Sequence, residues 1–138
     1  MQHTLSIIEN ALWPILEAGF TVTIPLALIS FALSLVLAVL TAVMRISKSR
    51  LLKGLAWFYV WVFRGTPLLI QLFIVFFGLP KLNITLDAWT AAILTFALNS
   101  GAYSAESIRG AILSIPRGQW EAADSLGMTH GQVLKRII

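Results

Sequence analysis

The sequence predicts an all-α, polytopic membrane protein with three transmembrane spans and a cytoplasmic helix–turn–helix. Hydrophobic residues make up 58% of the 138 residues and charged residues only 12%, about half the charged share of an ordinary soluble domain. Long uncharged runs alternate with short charged segments. One of these segments, residues 45–53, carries four basic residues and no acid. That charge bias is typical of a cytoplasmic loop between spans.

The first span is predicted over residues 18–44, a run without any charge. As a helix it measures roughly 40 Å, enough to cross a bilayer with some tilt. Gly19 and Pro25 are tolerated in such a helix. Residues 1–17 contain Glu9 and Glu17 among apolar residues and predict a short helix at the membrane surface. We expect the N-terminus outside, because the basic loop follows the span directly.

The basic loop has two interpretations. Its charges set the topology by the positive-inside rule, which is the reading that we prefer. The alternative is a patch that binds anionic lipid. The four residues are Arg45, Lys48, Arg50 and Lys53.

The second membrane segment is predicted over residues 57–80, with a break at Arg64-Gly65-Thr66-Pro67. Pro67 removes a helical hydrogen bond, and Gly65 loosens the turn before it. Arg64 is an ionisable residue within a membrane segment and therefore a functional candidate. The alternative is that its side chain snorkels to the cytoplasmic interface.

The third span is predicted over residues 88–110, where many small residues permit close helix packing. Asn99, Tyr103 and Glu106 recur at helical spacing and fall on one face. A polar stripe is costly against lipid, so it should face a cavity or another helix. For Glu106 the alternative is an i,i+3 ion pair with Arg109 near the cytoplasmic interface.

Residues 115–138 predict two short helices joined by a tight turn. Pro116 suits a first helical turn, and Gly127 suits the left-handed conformation that closes a helix. Thr129 and Gln132 have the spacing of a capping box that starts the second helix. A solvated cytoplasmic loop is the alternative reading of this polar segment.

Several function classes lack support in the sequence. There is no phosphate-binding Gly-rich loop, no spacing typical of metal ligands and no cysteine. The only histidines are His3 and His130, so a Ser–His–Asp triad is not supported. Basic residues are separated by apolar runs, which argues against nucleic-acid binding. We predict no catalytic residue, no metal site and no cofactor.

Two motifs carry a resemblance to a known family. Glu121-Ala122-Ala123, followed by Gly127 and Ile137, resembles the EAA loop of ABC importer permeases. The stretch Phe63-Arg64-Gly65-Thr66-Pro67-Leu68, with Gln71, is similar to the signature of the subfamily that takes up polar amino acids of the His, Glu, Gln, Arg and cystine type. Residues 102–106 resemble the same subfamily.

The resemblance implies a type I ABC importer permease fold and a non-enzymatic subunit in the inner membrane. It implies transport of a polar amino acid by alternating access, with ATP hydrolysed by separate ATPase subunits. Expected partners are those subunits, an extracytoplasmic solute-binding protein, a second permease copy in a homo- or heterodimer, and the lipid bilayer. The implied coupling residues are Glu121, Ala122, Ala123, Gly127 and Ile137. The predicted substrate path comprises Arg64, Gln71, Asn99, Tyr103 and Glu106.

The sequence departs from the family pattern at its end. In the family, the motif continues with one residue and then Leu-Pro, and further spans follow, whereas this sequence ends at Ile138. We therefore expect either a fragment or a truncated gene product. Two rival functions stay open on the residues alone: a small membrane channel, and a structural membrane subunit that transports nothing.

Overall fold

The computed structural model describes the backbone of residues 2–136, together with the side chains of residues 10–129, 131–133 and 136. Within that range every regular element is a helix, and the expected all-α class is confirmed. The α-helices are α1 (Gln2–Ala18), α2 (Ile24–Ile46), α3 (Arg50–Gly65), α4 (Leu68–Phe73), α5 (Ala88–Leu113), α6 (Arg117–Ser125) and α7 (His130–Arg136). Two π-helical segments, Gly19–Thr23 and Ile74–Gly78, and one 3-10 helix, Leu79–Leu82, complete the chain.

The first two α-helices form one continuous rod. Ala18 keeps right-handed helical angles (φ −61°, ψ −36°) and leads into the π-helical segment. No left-handed residue or extended linker ends α1, so Asn10–Ile46 is a single helix of 37 residues, within which an 18-residue stretch has a mean hydropathy of 2.6. The prediction of a separate surface helix over residues 1–17 is therefore wrong for the described part of that segment.

Each π-helical segment lies just before a proline. Gly19–Thr23 precedes Pro25, and Ile74–Gly78 precedes Pro80. A proline ring clashes with the carbonyl four residues earlier in a regular α-helix. Widening the turn before the proline is the local adjustment that lets a helix continue. Thus these two prolines modify their helices rather than separating them.

The predicted break in the second membrane segment is confirmed. α3 ends at Gly65, and Thr66 adopts an extended conformation (φ −122°, ψ 140°), as expected for a residue that precedes proline. The arms on either side, Arg50–Gly65 and Leu68–Leu82, meet at 104°. The second segment is therefore two helical arms at nearly a right angle.

α5 packs against α2 through small residues on both helices. Ser34 and Ala38 of α2 are buried, as are Gly101 and Ala105 of α5. α3 lies across this pair, and the Tyr59 hydroxyl donates a hydrogen bond of 2.6 Å to the Leu98 carbonyl. The absence of a side chain at Gly101 makes this crossing possible, because a Cβ there would lie 3.0 Å from the Tyr59 hydroxyl.

The number of spans follows only in part from the helices. Among the described residues, Asn10–Ile46 is long and apolar enough to cross a membrane, and the bent pair of arms adds a second crossing if it counts as one span. α5 is a helix of 26 residues, and Asn99 and Tyr103 within it lower its mean hydropathy. The predicted count of three spans stays a prediction.

Candidate functional site

The side chain of Glu106 is the centre of a cluster of three arginines from three helices. Arg45, at the end of α2, donates from Nε to Glu106 Oε1 at 3.0 Å. Arg109, one turn further along α5, donates from Nη2 to Oε2 at 2.9 Å. Arg64 of α3 lies further off, with Nη1 at 3.9 Å from Oε2. The Glu106–Arg109 pair predicted as the alternative role of Glu106 is present, and the carboxylate also links α5 to α2.

A cavity of about 390 Å³ opens beside this cluster. The Arg64 guanidinium lies over the Tyr103 ring, 5.3 Å from its centroid, a distance that allows a cation–π interaction. Three of the predicted path residues, Arg64, Tyr103 and Glu106, therefore line one cavity. The other lining residues are Arg45, Trp57, Val60, Trp61 and Gly65.

The remaining two predicted path residues lie together elsewhere. Asn99 donates to Gln71 Oε1 at 3.1 Å. The Gln71 side-chain amide donates to the Phe63 carbonyl at 2.9 Å and to the Thr66 hydroxyl at 2.7 Å. Gln71 is buried. These bonds satisfy carbonyls freed by the helix break and tie it to α5, so the geometry gives Gln71 and Asn99 a structural task.

The charge of the cluster determines what its cavity can hold. Three guanidinium groups face a single carboxylate, so positive charge exceeds negative charge. Guanidinium groups form strong paired hydrogen bonds with carboxylates and other oxyanions. The cavity is thus suited to a group that carries negative charge. The described residues contain no cluster of three or more His, Cys, Asp or Glu side chains able to hold a metal ion.

Sequence reasoning missed the role of Arg45, which it treated as a topological charge or as part of a lipid-binding patch. Its partner Glu106 lies 61 residues away in the chain, and local spacing carries no signal for such a pair. Trp57 and Trp61, to which the sequence analysis assigned no role, also line the cavity. The sequence did contain one signal for this role. Glu106 is an acid within a predicted span, and its own helix supplies one basic neighbour, Arg109, so a further basic partner could have been sought on another helix.

The second candidate site is the helix–turn–helix of α6 and α7. Gly127 adopts the left-handed conformation (φ 67°), as predicted. Its N–H donates to the Asp124 carbonyl, and the N–H of Met128 donates to the Ala123 carbonyl, both at 3.0 Å. This pair of bonds is the Schellman motif that closes α6.

The start of α7 also follows the prediction. The N–H of Thr129 donates to the Gln132 side-chain oxygen at 2.8 Å, which is the reciprocal bond of a capping box. Pro116 directly precedes α6, and its carbonyl accepts the N–H of Gln119 at 2.9 Å. The predicted turn between two short helices is confirmed.

The predicted coupling residues occupy different environments in this unit. Ala123 is buried, whereas Glu121, Ala122 and Gly127 are exposed. Leu126, at the tip of the turn, leaves 78% of its surface exposed. Ile137, the fifth predicted coupling residue, lies outside the described residues. The unit therefore presents a carboxylate and an apolar tip outward from a turn in which the backbone N–H groups of residues 126–129 are all hydrogen-bonded.

Comparison with protein families identifies this arrangement. The model of the family described as "Binding-protein-dependent transport system inner membrane component" matches residues 34–138. The chain belongs to this family. The match covers the helix–turn–helix, the Glu106 cluster and most of α2.

Curated relatives of this inner membrane component are similar along most of the chain. The L-cystine transport system permease protein TcyB of Bacillus subtilis (strain 168) is 48% identical over 132 residues, which cover 96% of the chain and 56% of that protein. The arginine transport system permease protein ArtQ of the same organism is 40% identical and covers 91% of the chain and 58% of its own length.

A solved structure agrees in fold with this inner membrane component. The crystal structure of an amino acid ABC transporter with histidines matches with a TM-score of 0.83 and 36% identity, over 96% of this chain and 61% of the other. The chain thus spans between half and two thirds of the length of the relatives that it matches.

Proposed function

We propose that the chain acts as a permease subunit of an ATP-driven ABC importer and moves a polar amino acid across the cytoplasmic membrane. The observation that carries this proposal is the family match over residues 34–138, which includes a structurally complete Gly127 turn. Relatives named for the transport of L-cystine and arginine support the substrate class.

The proposed topology has three spans, about 18–44, 57–80 and 88–110, with the N-terminus outside and residues 115–138 in the cytoplasm. The basic residues of the loop between α2 and α3 support this orientation. Arg109 and Arg117 lie toward the same end. The single domain described by these spans corresponds to part of a permease.

The proposed coupling element is the helix–turn–helix, which docks on a separate ATPase subunit. Glu121 supplies a charged contact, and Ala122 and the Gly127 turn allow close approach. Ile137 contributes to the same unit. Nucleotide drives alternating access only if the ATPase binds the two states of the permease with different affinity. A rigid, internally bonded turn transmits that difference better than a flexible loop.

The proposed substrate path passes the cavity lined by Arg64, Tyr103 and Glu106. The excess guanidinium charge there suits the carboxylate that every amino acid carries. Gln71 and Asn99 keep the helix break in place beside it. The proposed assembly contains a second permease copy, two ATPase subunits and an extracytoplasmic solute-binding protein.

The test is uptake by the transporter assembled around this chain and reconstituted in vesicles. Replacing Glu121→Lys and Gly127→Ala should uncouple ATP hydrolysis from uptake of cystine, glutamine or arginine, offered in turn. We expect a loss of uptake of about tenfold, the effect of removing about 1.4 kcal/mol of docking energy. Gly118→Ala serves as the matched control, because this glycine lies in α6 with open space around it.

Uptake that stays at the unaltered level in the Glu121→Lys and Gly127→Ala variants would contradict the coupling role. Uptake lost equally in the Gly118→Ala control would contradict it as well, since that change leaves the turn intact.

A further inference from the structure

The first half of α3 presents two basic residues that take no part in the Glu106 cluster, followed on the same face by Trp57. Arg50, Lys53 and Trp57 recur at i, i+3 and i+7, the spacing of one helix face, and all three are exposed. The ring of Trp57 stacks on Trp61 with centroids 6.0 Å apart and planes 9° apart. We refer to Arg50, Lys53 and Trp57 as the basic–tryptophan face.

The charges on this face are uncompensated within the described side chains. Every salt bridge among the described side chains is made to Glu106, by Arg45, Arg64 or Arg109. Arg50 and Lys53 have no carboxylate within bridging distance in the same set. Of the basic loop, Arg45 therefore belongs to the Glu106 cluster, whereas Arg50 and Lys53 are exposed.

The position of the face along the fold matches the boundary of the apolar layer. α2 ends at Ile46 and α3 begins at Arg50, so the first turn of α3 lies where the rod of the first span ends. Trp57 lies about two turns further along the helix. Basic residues at the membrane edge with tryptophan just inside are the pattern of the headgroup level.

Exposed apolar side chains adjoin the basic–tryptophan face. Trp61 follows Trp57 by four residues on the same side of the helix and leaves 61% of its surface exposed. The ring of Phe58, which is 58% exposed, lies 6.2 Å from the ring of Trp61. An acidic protein surface would neutralise the charges but would leave this apolar stripe uncovered. A phospholipid covers both, with its phosphate on the basic residues and its acyl chains on the stripe.

We propose that the basic–tryptophan face binds the headgroup of an anionic phospholipid. The phosphate pairs with Arg50 and Lys53, the Trp57 ring lies at the level of the glycerol backbone, and the acyl chains cover Phe58 and Trp61. This site adjoins the cavity beside Glu106, whose lining includes Trp57 and Trp61, and a bound lipid goes beyond the proposed transport role. Only the assignment of this lipid to the cytoplasmic leaflet rests on the proposed topology.

The test measures lipid retention by the full chain purified in detergent. Dioleoyl phosphatidylglycerol or dioleoyl phosphatidylcholine is added, and native mass spectrometry counts the bound lipids. We expect preferential retention of the phosphatidylglycerol. Arg50→Gln with Lys53→Gln should lower its apparent affinity by roughly fivefold for each charge removed. The preference should weaken as salt rises from about 0.1 M to about 1 M, because the screening length shortens.

Two further variants control for charge and position. Lys81→Gln removes an exposed basic residue from the 3-10 helix and should leave retention unchanged. Arg50→Lys with Lys53→Arg keeps the charges and should keep the preference. Capture of an ATPase by the Arg50→Gln, Lys53→Gln variant reports that its fold is intact, so failure of the lipid site is distinguishable from failure of the transport proposal.

Equal retention of the two lipids by the unaltered chain would overturn the proposal without reference to any variant. So would an equal loss in the Lys81→Gln control, which would indicate a general charge effect. Displacement of the lipid by inorganic phosphate would assign the face to a free anion, and loss of ATPase capture with lipid retention unchanged would assign it to a protein partner.

Discussion

At the scale of single residues, the turn between α6 and α7 depends on the left-handed backbone conformation of Gly127. Its φ of 67° is costly for residues that carry a Cβ, and glycine adopts it freely. No other group lies within 4 Å of the position that a Cβ would occupy. Replacement by alanine therefore tests conformation alone, without a steric clash.

Gly127→Ala should loosen the end of α6 by roughly 1–2 kcal/mol, the usual cost of the left-handed conformation. Gly118→Ala, the same chemical change in a right-handed helical position, should stabilise α6 by roughly 0.5 kcal/mol. Hydrogen exchange of the amides of residues 117–136 measures both. Equal exchange in the two variants would contradict the requirement for a left-handed residue, whereas recovery of protection in Gly127→Asn would support it.

Glu106→Gln should destabilise the chain by roughly 3 kcal/mol, because it leaves three arginines around a neutral side chain. Arg64→Gln should cost less than about 1 kcal/mol, since its contact with Glu106 is 3.9 Å long and its side chain is 44% exposed. Thermal unfolding in detergent compares the two variants. A larger loss in Arg64→Gln would reverse the assigned roles.

At the scale of helices, the sequence predicted the breaks better than the angles between elements. Pro67 and the left-handed Gly127 are local signals, and both turns lie where they were predicted. The 104° angle between α3 and the arm after Pro67 depends on bonds from Gln71 and Asn99. The Asn99–Gln71 bond joins residues 28 positions apart, and local sequence patterns carry no signal for such a pair.

The Glu106 cluster likewise combines residues that local patterns singled out with one, Arg45, that only the packing of the helices brings to it. Of the five predicted path residues, Arg64, Tyr103 and Glu106 line one cavity, whereas Gln71 and Asn99 lie together elsewhere. Arg45 was left out, since its pairing with Glu106 depends on how α2 packs against α5. The π-helical segments before Pro25 and Pro80 were also missed, as tolerance of proline predicts no particular adjustment.

Gly101→Ala should destabilise the crossing of α3 over α2 and α5 by roughly 1–3 kcal/mol through overpacking. The new Cβ would lie 3.0 Å from the Tyr59 hydroxyl and 3.1 Å from Leu37 Cβ, and the hydroxyl is held by its bond to Leu98. Gly110→Ala is the matched control on the same helix, with open space around it. Unfolding temperatures that fall equally in both variants would contradict the close crossing.

At the scale of the whole molecule, one set of helices connects two candidate sites. The Glu106 cluster joins α2, α3 and α5, and α5 runs on to Leu113, four residues before α6 begins. A displacement of the helix–turn–helix therefore has a short covalent route to the cavity. This connection is what the proposed coupling of ATP hydrolysis to the spans requires.

The central claim is that the helix–turn–helix docks on an ATPase subunit, and capture of ABC ATPase subunits by the solubilised chain tests it most directly. We expect the unaltered chain and Gly118→Ala to capture an ABC ATPase and the combined Glu121→Lys, Gly127→Pro variant to lose it. Capture that persists in the combined variant, or no capture by a folded, unaltered chain, would contradict the claim.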